Sequence, residues 1–325
     1  MSLNEGRRPI LAMIESNTTG TGRAFAVAAR ARGLRPVLLS SRPERYPWVA
    51  EDDVDVVRAD TTDAASVADV ARATALGGGS RRPGRGDTPR PPGRYRLAGL
   101  VTSSEYFVAV TARAATRLGL PGADPGAVER CRDKRRQRAA LAGSGVAVPA
   151  HFPAATPEEA VTAALSIGFP VVVKPADGTG SRGVRLCCDP AEVQGHTAAL
   201  LARRRDERGQ PTIPAVLVEE YVLGPEVSVE TFGTEVVGVT AKHLGPPPWF
   251  VECGHDFPAD PEGSSNSGLT GTVLAAIEAL GLGFGPAHTE VRLGPRGPVV
   301  IEVNARLAGG RIPTLVRLAT GIDLV

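Results

Sequence analysis

A lysine and a glycine-rich loop mark the stretch of the chain with the clearest chemical meaning. The apolar run 170–173 predicts a short buried strand, and Lys174 follows it directly. The next residues, 177–183, include three glycines, whose backbone can approach an anion closely and offer it N–H groups. Only three of the 37 cationic residues are lysines. A lysine kept beside such a loop predicts a phosphate contact, with a plain turn as the alternative.

Two carboxylates and an amide converge in a hairpin predicted over 288–304. Glu302 and Asn304 are two residues apart on one strand, so their side chains point to the same face. Glu290 falls close to opposite Glu302 on the partner strand. Oxygen ligands of this kind suit Mg²⁺ that shares its coordination shell with phosphates. Salt bridges to the arginines that follow the hairpin are the metal-free alternative.

Composition restricts the class of protein. The chain has 325 residues and a net charge of +2, which indicates no polyanionic partner, and its 4% aromatic content offers no platform for stacking bases. No apolar run approaches the roughly 20 residues that span a bilayer, and no signal peptide is evident. Four cysteines without a C-x-x-C pair predict a reduced, cytoplasmic protein.

The first 125 residues alternate predicted strands and helices, which is typical of a Rossmann-like α/β domain. A dinucleotide site is disfavoured, because G-x-G-x-x-G is absent and Ser40 and Ser41 stand where a ribose-binding acid is needed. Residues 77–96 are dominated by Gly, Pro and Arg and predict a disordered insertion. Further on, a helix is predicted over 127–141 and a long polar loop over 244–267.

The order of these parts resembles the ATP-grasp superfamily, over about residues 1–325. The resemblance implies an α/β ATP-grasp fold with a Rossmann-like pre-grasp domain at 1–125, an N-terminal lobe at 126–213 and a C-terminal lobe at 214–325. Family members continue for another small subdomain after the final segment ATGIDLV, so the C-terminal part of this chain is expected to be short. The motifs that carry the resemblance are Lys134, Lys174 with its glycine loop, Glu219-Glu220-Tyr221-Val222, Glu226, Glu290 and Glu302-Val303-Asn304-Ala305-Arg306.

The same resemblance implies a role for each motif. Lys134 and Lys174 would contact the phosphates of ATP, and the glycine loop would cover them through Gly178, Thr179, Gly180, Ser181 and Gly183. The hinge that reads adenine would comprise Glu219, Glu220, Tyr221 and Val222, with Glu226 as the ribose-binding acid. Two Mg²⁺ ions, with Mn²⁺ as an alternative, would be held by Glu290, Glu302 and Asn304. Arg306 would steady the acyl phosphate or the tetrahedral intermediate.

Two segments look most like the L-amino-acid ligase branch, which the carnosine-synthase-like enzymes share: 252–259, ECGHDFPA, and 285–290, GPAHTE. By this resemblance Glu252 and His255 would face amino-acid substrates, in a loop outside the nucleotide site. From the residues alone, His255 is as easily read as a surface histidine. The implied activity is ATP-dependent formation of an amide or dipeptide through an acyl phosphate, with release of ADP and phosphate.

Two other functions stay open. The ending ATGIDLV is similar to that of biotin carboxylases, which implies a carboxylase that uses bicarbonate and a carrier. A truncated ATP-binding module without catalysis belongs to a different class. The expected partners are small-molecule carboxylate and amine substrates, without nucleic acid or membrane, and a homodimer is one candidate assembly.

Overall fold

The computed structural model describes residues 8–17, 21–77, 95–259 and 267–325. The chain divides into two compact units, Met1–Pro125 with Val325, and Gly126–Leu324. Most of the insertion predicted at 77–96 lies outside the described residues, although its last two residues begin a strand. Within the described ranges, no helix has both the length and the apolar character needed to cross a bilayer.

The first unit contains a parallel sheet with strand order β3-β2-β1-β4. Residues 10 and 12–14 of β1 and 36–40 of β2 are buried, as expected for parallel strands that are covered on both faces. This arrangement confirms the predicted Rossmann-like α/β architecture. Its elements are β1 (Arg8–Ile14), α1 (Thr21–Ala31), β2 (Arg35–Ser40), α2 (Trp48–Glu51), β3 (Asp55–Arg58), α3 (Ala64–Ala75), β4 (Tyr95–Val101) and α4 (Val108–Arg117).

The second unit contains two antiparallel sheets, one with strand order β5-β8-β6-β7 and one with order β11-β10-β9-β12-β13. Its elements are α5 (Pro125–Arg132), α6 (Lys134–Gly143), β5 (His151–Ala154), α7 (Pro157–Ile167), β6 (Val171–Pro175), β7 (Arg185–Cys187), α8 (Pro190–Ala202), β8 (Val216–Glu220), β9 (Glu226–Phe232), β10 (Glu235–Leu244), β11 (Glu252–Asp256), α9 (Ser267–Leu280), β12 (Pro286–Gly294), β13 (Gly297–Asn304) and α10 (Ile312–Thr320).

The helix predicted over 127–141 is interrupted at Asp133, so the prediction of one continuous helix was wrong. Asp133 has an extended backbone, and its carboxylate accepts a hydrogen bond from the Arg135 N–H at 3.0 Å. An aspartate can cap a new helix in this way instead of continuing the old one. The Lys134 N–H donates to the Ala176 carbonyl at 2.8 Å, which ties the start of α6 to the chain just after β6.

The polar loop predicted over 244–267 contains a strand, so that prediction was wrong for residues 252–256. β11 pairs with β10 in antiparallel register, with His255 opposite Lys242 and Gly254 opposite His243. The residues of this segment have little intrinsic strand propensity, so their strand conformation depends on hydrogen bonds to the edge strand β10. Residues 260–266 of the predicted loop lie outside the described part of the chain.

The five-stranded sheet has one apolar and one polar face. Val227, Val229 and Val291 pack with Val273 and Ile277 of α9 in a buried core. Because side chains alternate along a strand, the residues between them point to the opposite face. Strand register brings those polar residues into neighbouring rows, and the set comprises Glu226, Ser228, Glu230, Lys242, His288, Glu290, Arg292, Glu302 and Asn304.

Candidate active site

A cleft of about 850 Å³, including its solvent-open part, is lined by residues from both sheets of the second unit. All residues predicted for the site line this cleft except Gly183 and His255. Those that do are Lys134, Lys174, Gly178, Thr179, Gly180, Ser181, Glu219, Glu220, Tyr221, Val222, Glu226, Glu252, Glu290, Glu302, Asn304 and Arg306. The structure therefore brings residues that are spread over about 170 positions of the sequence together around one cleft.

The glycine-rich loop needs glycine for its shape. Gly178 and Gly180 have φ values of +117° and +66°, which a residue without a Cβ adopts at little cost. Gly183 has a φ of +76° as well, and a Cβ there would come within 2.8 Å of a methyl group of Leu200. The Lys134 ammonium donates to the Gly178 carbonyl at 3.2 Å, which holds the loop against α6.

Lys174 lies in a buried cluster with two other ions. The Glu219 carboxylate is 2.5 Å from the Lys174 ammonium and 2.5 Å from Nε of Arg138. Burial opposes ionisation of Glu219, but Arg138 and Lys174 outweigh it and lower its pKa to about 2. Burial and the nearby guanidinium lower the pKa of Lys174, although Glu219 acts against them. With two cationic groups for one carboxylate, the cluster favours an incoming anion.

Lys242 holds three carboxylates together at the centre of the polar face. Its ammonium lies 2.9 Å from Glu226, 2.9 Å from Glu252 and 3.1 Å from Glu290. Burial alone would lower the pKa of Lys242, but Glu290, Glu226 and Glu252 together raise it above its usual range. Lys242 therefore stays charged, and all three lysines of the chain lie in or directly beside this cleft.

A buried histidine contacts the Glu290 carboxylate and a second carboxylate, that of Glu230. His288 Nδ1 lies 2.7 Å from Glu230, and its Nε2 lies 3.3 Å from Glu290. Burial alone would lower the pKa of His288, but Glu230 and Glu290 raise it to about 9, so both ring nitrogens carry hydrogen. Burial opposes ionisation of Glu290, but Lys242 and His288 hold its pKa well below the usual range.

The end of the cleft formed by residues 221–226 is aromatic and carries an arginine. Nε of Arg292 donates to Glu226 at 3.1 Å, and its Nη1 donates to the Val222 carbonyl at 3.2 Å. The guanidinium lies 5.5 Å from the Tyr221 ring centroid and 5.6 Å from that of Phe250. Both distances fit cation–π contact. The arginine therefore connects the Val222 backbone, the Glu226 carboxylate and the two rings.

Glu252 belongs to the same charge cluster as Glu226 and Glu290, so its segment does not lie apart from the residues predicted for the nucleotide and the metal. Glu252 lines the cleft and pairs with Lys242, since β11 extends the sheet beyond β10. His255 Nε2 lies 3.5 Å from the other oxygen of Glu252. Its ring packs on Gly310, where a Cβ would come within 2.6 Å of the imidazole.

The oxygen ligands fit a magnesium ion that is shared with a phosphate. Glu290 lies opposite Glu302, and Asn304 follows two residues later on the same face. Among the described residues, no group of three or more His, Cys, Asp or Glu side chains forms a metal site. Mg²⁺ usually takes one or two carboxylates and completes its shell with phosphates and water. The donor set therefore suits Mg²⁺ that arrives with a nucleotide.

Several residues of the site were missed by the sequence analysis. Arg138, Phe250 and Arg292 carry no recognisable motif of their own, and His288 lies in the segment GPAHTE without a role assigned to it. A signal for two of them was present, because polar residues alternate with apolar or small ones along β9 and β12. Such alternation predicts one polar face. Lys242 had a signal too, as the third of only three lysines.

Comparison with known proteins agrees with this geometry. Residues 167–314 match the family model described as the ATP-grasp domain. The chain carries an ATP-grasp domain. This confirms the resemblance recognised from the sequence. An uncharacterised protein of Sinorhizobium fredii is 40% identical over 318 residues, which cover 98% of this chain and 62% of that protein. The alanine–anticapsin ligase of Bacillus subtilis is 28% identical over 250 residues, which cover 71% of this chain and 53% of the ligase.

Solved structures show the same fold. An L-amino acid ligase from Bacillus licheniformis superposes with a TM-score of 0.75 at 25% identity, covering 98% of this chain and 72% of the ligase. The biotin carboxylase domain of the Hydrogenobacter thermophilus 2-oxoglutarate carboxylase has a TM-score of 0.73 at 17% identity, over 98% and 67% of the two chains. That domain was solved with Mg-ADP and bicarbonate. The chain spans less than two thirds of the length of the two curated relatives named above.

Proposed function

We propose that this protein is an ATP-dependent carboxylate–amine ligase that joins amino acids or similar small molecules. The γ-phosphoryl group of ATP passes to a substrate carboxylate, which forms an acyl phosphate and ADP. The substrate amine then attacks the acyl carbon, loses a proton and displaces inorganic phosphate. The products are an amide or dipeptide, ADP and phosphate.

The observation that carries this proposal is the distribution of lysine. All three lysines of the chain are in or beside one cleft, and each is paired with a carboxylate of that cleft. Phosphoryl transfer asks a protein mainly to position its reactants and to neutralise charge. Compact ammonium groups beside a glycine-rich loop supply the cationic part of that requirement.

The residues of the nucleotide end follow from their contacts. Lys134 and Lys174 bind phosphate oxygens, with Glu219 holding the Lys174 ammonium in place. Residues 219–222 offer backbone groups to adenine beside the aromatic rings that Arg292 joins. Glu226 accepts from the ribose hydroxyls, since a carboxylate has acceptor sites beyond those that Lys242 and Arg292 use.

Glu290, Glu302 and Asn304 are the proposed ligands of one or two Mg²⁺ ions, with Mn²⁺ as a substitute. When bound, such ions neutralise charge on the phosphoryl group that is transferred. Lys242 and His288 hold Glu290 ionised and oriented, and Lys134 orients Glu302 through a contact of 3.1 Å. Arg306, which also lines the cleft, stabilises the negative charge that develops on the acyl group.

The amino-acid end of the cleft is proposed at Glu252 and His255. Glu252 binds a substrate ammonium, and its contact with Lys242 places that group beside the phosphate-binding residues. His255 orients a substrate carboxylate or takes the proton that the amine releases. The packing of His255 on Gly310 ties this end to the segment that follows β13 and carries Arg306.

Release of ADP tests this proposal directly. The protein is incubated with ATP and Mg²⁺, and ADP is measured with each pair from a panel of amino acids, with bicarbonate, and with no second substrate. The ligase proposal predicts ADP release that depends on an amino-acid pair, together with a condensed product of matching mass. Release that depends only on bicarbonate would replace it with a carboxylase. Nucleotide binding without any turnover would indicate a binding module.

A further inference from the structure

The strand that carries two proposed metal ligands has one edge that no other strand covers. β13 is the last strand of its sheet, so the N–H and C=O groups on its outer side have no neighbouring strand. Buried backbone groups of this kind need partners, because an unpaired one costs about as much as a lost hydrogen bond. The Val300 N–H donates to the Ala147 carbonyl at 2.9 Å, and side chains from α6 provide the partners of the residues that follow.

Gln137 pairs with both backbone groups of Val303. Its Oε1 accepts from the Val303 N–H at 3.0 Å, and its Nε2 donates to the Val303 carbonyl at 2.8 Å. The same Nε2 donates to the Cys131 carbonyl at 3.0 Å. Gln137 is fully buried. Its amide therefore does for Val303 what a neighbouring strand would do, at the residue between Glu302 and Asn304.

Arg138 holds the preceding part of the same strand. Its Nη2 donates to the Ile301 carbonyl, and its Nε donates to Glu219 at 2.5 Å. Since Glu219 also pairs with Lys174, one guanidinium connects the strand of metal ligands to a phosphate-binding lysine. Arg138 is 1% exposed, so this connection lies away from solvent.

Lys134 completes the set at the start of the helix. Its ammonium lies 3.1 Å from Glu302. Three consecutive residues of β13, Ile301, Glu302 and Val303, are therefore each held by a different residue of one helical turn. Residues three and four apart lie on one side of a helix, which is how Lys134, Gln137 and Arg138 reach the same strand.

We propose that α6 is the positioning element of the active site, with Gln137 as the residue that sets the orientation of Glu302 and Asn304 for Mg²⁺. The inference rests on the proposed function, because it concerns the metal ligands of that reaction. The amide at 137 pairs with both backbone groups of Val303, and in doing so it fixes the one residue that lies between Glu302 and Asn304.

The test uses Gln137→Met, which keeps the length of the side chain and removes all its hydrogen bonds. Binding of a non-hydrolysable ATP analogue is measured by calorimetry at a series of Mg²⁺ concentrations. We expect the Mg²⁺ concentration for half-maximal binding to rise about tenfold, the size of effect seen when partners that orient metal ligands are lost. Analogue affinity at saturating Mg²⁺ should change by less than about twofold.

Leu141→Ala is the matched control. Leu141 lies on the same helix, fully buried in the core that α6 shares with β13. This variant should lower the melting temperature and leave the Mg²⁺ midpoint unchanged. An equal shift in both variants would overturn the positioning role, because it would show that any loss of packing at α6 has the same result.

Two further outcomes separate the inference from the function on which it rests. If the parent protein fails to bind the analogue at any Mg²⁺ concentration, the proposed function is wrong. If the parent binds and Gln137→Met has the parent's midpoint, only the role of Gln137 is wrong.

Should circular dichroism show that Gln137→Met is unfolded, Gln137→Asn decides instead. It keeps an amide but withdraws it from Val303, so it must also raise the midpoint.

Discussion

Glu15 in the first unit and Glu290 in the second are carboxylates with lowered pKa values, held by different kinds of partner. Glu15 accepts hydrogen bonds from the Ser41 N–H and from hydroxyl groups of Ser40, Ser41, Tyr46 and Thr61, at 2.7 to 3.0 Å. Burial opposes its ionisation, but these bonds lower the pKa of Glu15. Glu290 is held instead by Lys242 and the protonated His288.

The difference separates a structural carboxylate from one that can change partners. The donors around Glu15 are neutral and fully engaged, and two of them, Ser40 and Ser41, occupy the position where a dinucleotide site would need an acid. A carboxylate paired with a lysine has a counter-ion that a metal can replace while the lysine turns to a phosphate. Substitution of Glu15 in the first unit should therefore change stability, whereas substitutions around Glu290 in the second unit should change ligand binding and activity.

The largest effect is expected for Glu302→Gln. Loss of the charge should lower ADP release by at least about 100-fold at millimolar Mg²⁺, because a ligand anion becomes a neutral amide. The melting temperature should change little, and Asn304→Ala should give a milder loss of activity. Glu44→Gln, at a surface ion pair of the first unit, is the control. Parent-like ADP release across a Mg²⁺ titration would contradict the metal assignment.

Lys174→Ala should weaken ATP binding by about 10- to 100-fold, since a charge-assisted hydrogen bond contributes roughly 1.5–3 kcal/mol. Calorimetry at saturating Mg²⁺ measures this loss. Arg23→Ala, which removes two ion pairs of a half-exposed arginine in the first unit, should leave the affinity unchanged. An unaltered ATP affinity in Lys174→Ala would remove the main support for a phosphate site at the glycine loop.

Glu15→Gln should change stability and leave nucleotide affinity alone. The amide would set N–H groups against donors that now bond to an anion, at a cost of about 1–3 kcal/mol in the free energy of unfolding. Urea titration measures this cost. Asp60→Asn, at an exposed hydrogen bond to Thr62, should change stability by less. A loss of ATP affinity in Glu15→Gln would contradict the structural role.

The pH dependence of Glu15 follows from the direction of its shift. A folded-state pKa below the ordinary 4.5 means that its stabilisation is complete above about pH 4.5 and is lost as pH falls through the folded value. In Glu15→Gln that part of the acid destabilisation should be absent. Urea midpoints measured between pH 6 and pH 3 should fall less steeply with pH in Glu15→Gln than in the parent. Parallel pH dependences in the two proteins would refute this role of Glu15.

The smallest effect is expected at the far end of the polar face. His255→Ala should lower kcat/KM for the amino-acid substrates by about tenfold, or roughly 1.4 kcal/mol, and leave ATP affinity unchanged. His243→Ala, on the exposed side of β10, is the matched control. Equal losses for ATP and amino acids would mean that His255 supports the fold of the site through Gly310 and does not bind substrate.

Much of the fold and part of the site followed from local rules. Strand alternation and a short turn placed Glu290 opposite Glu302, and the observed register confirms that pairing. Alternating strands and helices predicted the parallel sheet of the first unit, which is also confirmed. These features depend on residues close together in sequence, where the period of a strand and the geometry of a turn leave few alternatives.

The partners of the charged residues depended on the folded chain. Lys242 meets Glu290 from 48 positions away, and Gln137 meets Val303 from 166 positions away. Nothing in a local window selects such pairs, because many carboxylates and many strand edges are equally suitable before the chain folds. Folding of the whole chain selects these pairs, because each charge and each backbone group that is removed from water needs a partner in the protein interior.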